Sequence, residues 1–187
     1  MGRIVDDDGK NITSYDTRGE LCVRGPTITR GYFENPKANA DSFDSDGFFK
    51  TGDIVYCDSK TKKWYVVDRK KELIKVRGFQ VAPPELESVL LSHPYIVDAG
   101  VIGVKDPVDK DVEHPRAFVV KRQVPESESL DEKAIKEYCA SRLARFKELT
   151  GGVRFLDAIP KNASGKILKR ILREMAEKEA AETKARL

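Results

Sequence analysis

The chain has 187 residues, 40% hydrophobic and 35% charged, which suffices for one ordinary hydrophobic core or two small ones but is short for a multidomain enzyme. Its 34 basic and 31 acidic residues leave a net charge of +3, so charge gives no reason to expect nucleic acid or membrane binding. Three widely spaced cysteines favour neither a disulfide framework nor a zinc site, and no apolar run approaches the ~20 residues that span a bilayer. We therefore expect a soluble protein from a reducing compartment.

The first third of the chain alternates short β-type runs with turns. Residues 20–23 and 64–67 have the composition of strands, and glycine and proline punctuate the sequence between them. Asn35 followed by Pro36 predicts one short helix, because asparagine is a good cap and proline suits the first helical position. Residues 1–67 are therefore predicted to form a small β-rich domain.

A run of five charged residues, 68–72, separates two β-like stretches. Such a run is typical of a linker or hinge between modules, although an exposed turn has the same composition. We place the hinge at residues 68–71.

Beyond the hinge, residues 72–187 change to a mixed pattern of α and β. Apolar residues at helical spacing indicate the helices, and one of them is expected to begin at Ser129, where Ser129 and Glu132 form a capping box. The predicted order is strands 73–76 and 79–81, a helix from Pro84, strands 99–104 and 117–120, the helix from Ser129, strand 153–156, and a last helix with an apolar face from Ile167 to Met175. The predicted fold class is α+β, with a small β-rich domain followed by a small α+β domain.

Four segments carry candidate chemistry: residues 19–32, 51–53, 68–87 and 160–170. On its own, the segment 51–53 is short enough to be a turn with a capping aspartate. The segment 68–87 on its own has the composition of a solvated charge run followed by a hairpin. The fourth segment brings Lys166 out of a turn of small residues at the start of a helix.

A phosphate-binding P-loop is one alternative for the segment around Lys166. That motif needs a glycine five residues before Gly165 and a serine or threonine after Lys166, whereas this chain has Pro160 and Ile167. A basic amphipathic helix that binds nucleic acid or a membrane surface is a second alternative. His93 and His114 lack the companion residues of a triad or a metal site, so we expect solvated loop histidines and no metal.

In order and approximate spacing, the four segments resemble the acyl-CoA and 4-coumarate:CoA ligases of the adenylate-forming, or AMP-binding, superfamily. The resemblance covers most of the chain but only the C-terminal portion of such a ligase. It implies that residues 1–67 end the large AMP-binding domain, that 68–71 are a hinge, and that 72–187 are the mobile C-terminal lid domain. By the same resemblance, residues 106–114 are expected to form a longer loop than is common in relatives.

The resemblance also assigns nucleotide-binding residues. Asp53 accepts hydrogen bonds from both ribose hydroxyls of ATP, a role suited to a carboxylate because its oxygens only accept. Arg69 contacts the nucleotide sugar, and Lys75 reaches the AMP moiety. Lys71 is the hinge about which the small domain turns between two catalytic poses, and it counts among the nucleotide-binding residues with Lys166.

By the same resemblance, Lys166 is the catalytic residue and the turn at Arg77 and Gly78 binds CoA. A mobile cation such as Lys166 stabilises the charge that builds up when a carboxylate attacks the α-phosphate of ATP. Gly78 has no side chain and lets the hairpin approach the channel of the CoA arm. Many relatives carry lysine in place of Arg77, and the planar guanidinium is not equivalent to an ammonium.

The complete enzyme would use ATP, Mg²⁺ and CoA, with none of them bound within this chain alone. Its substrate would be an aryl, cinnamyl or fatty carboxylic acid. The phosphate-binding loop and acyl pocket of the family are not in this sequence, so we expect a missing N-terminal ligase domain and no catalysis by the chain alone. Alternatives are a non-catalytic partner or regulatory protein, a luciferase-type oxidation, and a peptide-synthetase adenylation module.

The last three residues, Ala185-Arg186-Leu187, are a small-basic-leucine variant of the Ser-Lys-Leu peroxisomal signal. A receptor recognises this signal at the free chain end. The three residues predict a peroxisomal location and an import receptor as a partner. A helix tail rich in alanine, arginine and leucine produces the same three residues by composition, in which case the protein would be cytoplasmic.

Overall fold

The computed structural model describes residues 1–184, so the predicted signal at 185–187 lies outside the described residues and stays a prediction. The chain divides into two compact units, Met1–Lys71 and a second unit that begins at Glu72. No helix among the described residues is both long and apolar enough to cross a membrane.

The first unit is a five-stranded antiparallel sheet in the order β2-β1-β3-β4-β5. Its strands are β1 (Gly2–Val5), β2 (Asn11–Ile12), β3 (Gly19–Val23), β4 (Phe49–Cys57) and β5 (Trp64–Arg69). The predicted helix is α1 (Pro36–Ser42), and Asn35 caps it by accepting a hydrogen bond from the Ala38 N–H at 3.0 Å. The prediction of a β-rich unit with one capped helix is therefore confirmed.

The charged run 68–72 is not a linker throughout. Asp68 and Arg69 continue β5 and pair with Ile54 and Asp53 of β4, so the prediction that the strand ends at residue 67 is wrong. The charges are tolerated because β5 is an edge strand with exposed positions. The chain leaves the sheet only after Arg69, through a single 3-10 turn at Lys70–Glu72.

The second unit has a three-stranded sheet in the order β10-β9-β8 and a separate two-stranded hairpin. β9 pairs antiparallel with β8 and parallel with β10. Its elements are β6 (Ile74–Val76), β7 (Phe79–Val81), α2 (Pro83–Leu91), β8 (Ile96–Lys105), β9 (Glu113–Lys121), α3 (Glu132–Ala140), β10 (Val153–Phe155) and α4 (Lys169–Lys184). The predicted order of strands and helices and the predicted α+β class are therefore confirmed.

The two faces of the three-stranded sheet hold separate apolar clusters, because successive strand side chains point to opposite faces. Val101 and Val119 pack with the hairpin, α2 and α3 on one face. Ile102 and Phe118 pack with α4, through its buried Leu172, on the other face. The sheet is therefore covered on both sides, and α4 has one face to itself.

Two helix starts differ from the predicted ones. Asp131, not Ser129, caps α3, and its carboxylate accepts the Ala134 N–H at 2.8 Å. The intervening Leu130 is buried in the core, so the chain packs there before it turns into the helix. The last helix begins at Lys169, after the apolar pair 167–168.

We predict that Asp131→Ala lowers the free energy of unfolding by about 1 kcal/mol, because removal of a helix N-cap costs about that much. Ser129→Ala is the matched control and should change it by only a few tenths of a kcal/mol, since the Ser129 hydroxyl bonds to Glu126 O at an exposed site. Urea titration followed by far-UV circular dichroism measures both. Equal losses in the two variants would contradict the assignment of the cap.

Candidate functional site

Thr51-Gly52-Asp53 lies inside β4 at a shift in the register between β3 and β4, so it is not a turn. Gly52 has a φ of 73°, a conformation that favours glycine. The Thr51 hydroxyl donates to Leu21 O at 2.9 Å and accepts the Asp53 N–H at 3.1 Å. The Gly52 N–H donates to the Glu20 carboxylate at 3.2 Å. Side chains therefore satisfy the backbone groups that the irregular pairing leaves over.

Asp53 and Arg69, both predicted to bind nucleotide, are brought together by this geometry. They are cross-strand partners in β4 and β5, and Arg69 Nε lies 2.7 Å from Asp53 Oδ1. The Asp53 side chain is 27% exposed. Its second oxygen has no hydrogen-bond donor among residues 1–184, so the carboxylate is oriented by Arg69 and still able to accept hydrogen bonds from a ligand.

Lys70 and Lys71 follow at the end of the first unit. The Lys70 ammonium lies 3.1 Å from both Glu20 and Asp7. Burial opposes the charge of Lys70, but the hydrogen bonds to the two carboxylates outweigh it and raise the pKa of Lys70. Lys71 is exposed in the 3-10 turn where the two units meet in sequence. Its role as a hinge stays a prediction.

The hairpin of β6 and β7 turns through Arg77 and Gly78, whose φ values are 46° and 86°. Two positive φ values in a two-residue loop define the type I′ turn that suits the twist of a hairpin. No atom lies within 4 Å of a Cβ added at Gly78, so its conformation and not crowding favours glycine. The side chains of Lys75 and Arg77 are exposed, and the Lys75 N–H donates to the Glu113 carboxylate at 3.0 Å.

Lys166 ends a turn that the Asn162 side chain organises. Asn162 Oδ1 accepts from the Ser164 N–H, the Ser164 hydroxyl and the Lys166 N–H at 3.0, 2.8 and 2.9 Å. Gly165 provides the positive φ, 80°, that the turn requires. The backbone of Lys166 is therefore fixed while its side chain is exposed. Sequence reasoning identified Lys166 but missed Asn162, whose place at the start of a turn rich in small residues was an available signal.

Three lysines in this segment have different surroundings. Lys161 pairs with Asp98 at 2.7 Å. Lys169 lies 3.7 Å from the Glu87 carboxylate, and the side chains of Lys169 and Glu87 are 15% and 14% exposed. No carboxylate of the described chain lies within ion-pair distance of the Lys166 ammonium. Lys161 and Lys169 are thus engaged within the fold, and Lys166 is available to an anionic ligand.

Two ion pairs join the segment of Lys166 to the segment 72–87. Arg173 in α4 lies 2.6 Å from Glu72. Lys169 at the start of α4 faces Glu87 of α2, which also accepts the Val101 N–H of β8 at 2.9 Å. Sequence reasoning missed both pairs, because each joins residues distant in the chain.

The expectation of solvated loop histidines is wrong for His114, whereas His93 does lie in the loop between α2 and β8. His114 lies in β9, where Nε2 meets Asp106 Oδ2 at 2.8 Å and Nδ1 meets the Thr150 hydroxyl at 2.9 Å. The hydrogen bond from His114, with further bonds from backbone N–H groups, lowers the pKa of Asp106 to about 2. His93 packs edge-on against the rings of Tyr95 and Tyr138. Within residues 1–184, no group of three or more histidine, cysteine or acidic residues is placed to hold a metal ion.

Comparison with known proteins connects this geometry to a family. Residues 85–166 match the AMP-binding enzyme C-terminal domain. The acyl-CoA ligase azaF of Aspergillus niger is 59% identical over 91% of this chain and 31% of the ligase, and the phenylacetyl-CoA ligase epaB of Aspergillus niger is 58% identical over 92% of this chain and 31% of its own length. The crystal structure of ATP-bound MatB from Rhodopseudomonas palustris matches with a TM-score of 0.81 at 32% identity, over 94% of this chain and 33% of MatB.

The second unit thus contains the C-terminal domain of the AMP-binding enzymes at residues 85–166, and over more than nine-tenths of its length the chain is similar to adenylate-forming acyl-CoA ligases. The chain corresponds to the C-terminal part of the acyl-CoA ligases and spans about 31% of the length of its curated relatives. The resemblance predicted from the four segments is confirmed. The roles of the individual residues stay predictions.

We predict that Lys169→Ala lowers the free energy of unfolding by about 1–3 kcal/mol, because it removes the ammonium that lies 3.7 Å from the largely buried Glu87 carboxylate. Lys166→Ala removes the same charge three positions away and should change the free energy of unfolding by less than about 0.5 kcal/mol. Chemical denaturation of the two variants tests this difference. A Lys166 variant as destabilised as the Lys169 variant would show that Lys166 also has a structural partner.

Proposed function

We propose that this chain is the C-terminal part of an ATP-dependent carboxylate:CoA ligase. Such an enzyme joins a carboxylate to ATP as an acyl-adenylate and then transfers the acyl group to CoA. The observation that carries the proposal is the exposed Lys166 ammonium, held on a fixed turn between two lysines that are paired within the fold. Similarity to acyl-CoA ligases over more than nine-tenths of the chain supports it.

In the first half-reaction, a carboxylate oxygen of the acid attacks the α-phosphorus of ATP. A new oxygen–phosphorus bond forms, the bond to the β-phosphate oxygen breaks, and pyrophosphate leaves with the electron pair. Two anions must approach each other, so the Lys166 ammonium would stabilise the charge on the phosphoryl oxygens. Asp53, oriented by Arg69, would accept hydrogen bonds from the ribose hydroxyls, and Lys75 would reach the AMP moiety.

In the second half-reaction, the CoA thiolate attacks the acyl carbon of the adenylate. A carbon–sulfur bond forms, the bond from the acyl carbon to the phosphate oxygen breaks, and AMP leaves. The exposed turn at Arg77 and Gly78 is our candidate for the contact with CoA, and Lys71 for the hinge that changes the pose between the two steps.

In the complete ligase, Mg²⁺ would be held through the phosphates of ATP, because this cation is usually bound by substrate phosphates and one or two carboxylates. We assign no Mg²⁺ ligand to a residue of this chain. The acid stays open among aryl, cinnamyl and fatty acids, because no part of an acyl pocket is assigned here. ATP and CoA are proposed substrates of the complete ligase.

The decisive experiment replaces the corresponding part of azaF with this chain, because the 59% identity makes a functional chimera realistic. In that chimera, Lys166→Ala should lower the rate of adenylate formation by about 10²-fold or more, the typical loss when a group that stabilises transition-state charge is removed. ATP–pyrophosphate exchange measures the rate. Lys178→Ala removes an exposed lysine of α4 and should have no effect. A Lys166 variant with normal exchange would overturn its catalytic assignment.

In the same chimera, Gly78→Val should spare adenylate formation and slow thioester formation, because a branched side chain would obstruct the CoA arm and strain the turn. Single-turnover transfer from preformed acyl-adenylate to CoA measures this step. Gly9→Val introduces similar strain at a φ of 80° in an open turn of the first unit and should leave both steps unchanged. Equal transfer rates for the Gly78 variant and the parent would contradict the placement of CoA at this turn.

A further inference from the structure

The Glu20 side chain connects three neighbouring strands of the first unit. Glu20 lies in β3, directly after Gly19, where an added Cβ would come within 2.4 Å of Val5 O, so β3 packs very close to β1. Only 11% of the Glu20 side chain is exposed. A carboxylate this buried needs partners for both oxygens, because a buried charge without them is costly.

One Glu20 oxygen serves the irregular part of β4. Oε1 accepts the Gly52 N–H at 3.2 Å, a group that the register shift removes from the regular ladder. The bond holds Gly52 in its left-handed conformation, at the residue before Asp53. The direction of the Asp53 carboxylate toward Arg69 therefore depends in part on Glu20.

The other oxygen serves the end of β5. Oε2 lies 3.1 Å from the Lys70 ammonium, directly after Arg69 and before Lys71. Asp7 also approaches Lys70 at 3.1 Å, but its side chain is 71% exposed, so its ion pair is solvent-screened. Glu20 is therefore the stronger anchor of Lys70, and it alone of the two carboxylates also contacts Gly52.

We infer that Glu20 is a positioning residue of the proposed ligase: it orients Asp53 through Gly52 and fixes Lys70, so that any movement of the chain begins at Lys71. The inference rests on the proposed function for its effect on the reaction. The two oxygens have separable consequences, because one acts on the nucleotide-binding strand and the other on the residue before the hinge.

Three variants separate these effects in the azaF chimera. Glu20→Ala removes both bonds and should raise the KM for ATP in pyrophosphate exchange by about 5- to 10-fold, with a smaller change in kcat. Glu20→Gln keeps an acceptor for the Gly52 N–H and should return the KM close to the parent value. Lys70→Met keeps the bond from the Gly52 N–H to Glu20, so it should raise the KM for ATP less than Glu20→Ala does, and it should slow thioester formation. Asp7→Asn, which weakens the exposed ion pair with Lys70 and leaves Glu20 in place, is the matched control and should change neither.

A second measurement needs no catalysis. In this chain itself, Glu20→Ala should speed amide hydrogen exchange at Gly52 by about tenfold relative to the parent, whereas Asp7→Asn and Glu20→Gln should not. Unchanged exchange at Gly52, or an equal rise in KM for Asp7→Asn, would overturn the positioning role. Faster exchange at Gly52 together with an inactive parent chimera would instead refute the proposed function and keep the structural link.

Discussion

The second unit depends on the carboxylate of Glu87. It is 14% exposed, accepts the Val101 N–H of β8 and faces the Lys169 ammonium at 3.7 Å. An acid so far from solvent is stabilised only when its oxygens have partners. Both contacts are made by Oε1 of Glu87, and the Lys169 ammonium thereby links the start of α4, close to the turn that ends at Lys166, to α2. The exposed catalytic candidate is thus positioned by a buried charge that takes no part in the proposed chemistry.

The first unit uses Glu20 in the same way. Glu20 and Glu87 are both nearly buried, both accept a strand N–H and both face a lysine. Each also lies within a segment that carries the family resemblance. The glutamates and the paired lysines hold the backbone, and this leaves Asp53 and Lys166 with atoms that are free to meet a ligand.

Local signals in the sequence predicted the local structure well. Asn35 before Pro36 marked α1, and the Arg77-Gly78 pair marked the hairpin, because capping and positive φ depend on neighbouring residues alone. The sequence failed where a distant contact decides. Gly52 indicated a turn but lies in a strand, since Glu20 and Leu21 complete the bonding of that bulge. The sequence from Ser129 to Glu132 matches a capping box, but α3 begins only after Asp131, because Leu130 is first buried in the core.

The candidate site shows the same limit in the charged run 68–72, which composition alone could not divide. Arg69 is bound to Asp53, Lys70 to Glu20, and Glu72 to Arg173 of the second unit. Lys71 is the member of the run whose side chain has no partner within residues 1–184. A pivot needs firm chain on both sides and a residue whose own contacts do not resist rotation. The ion pairs on either side of Lys71 supply the first condition and its exposed side chain the second, so the distribution of partners along the run supports Lys71 as the hinge where the run of charges alone did not.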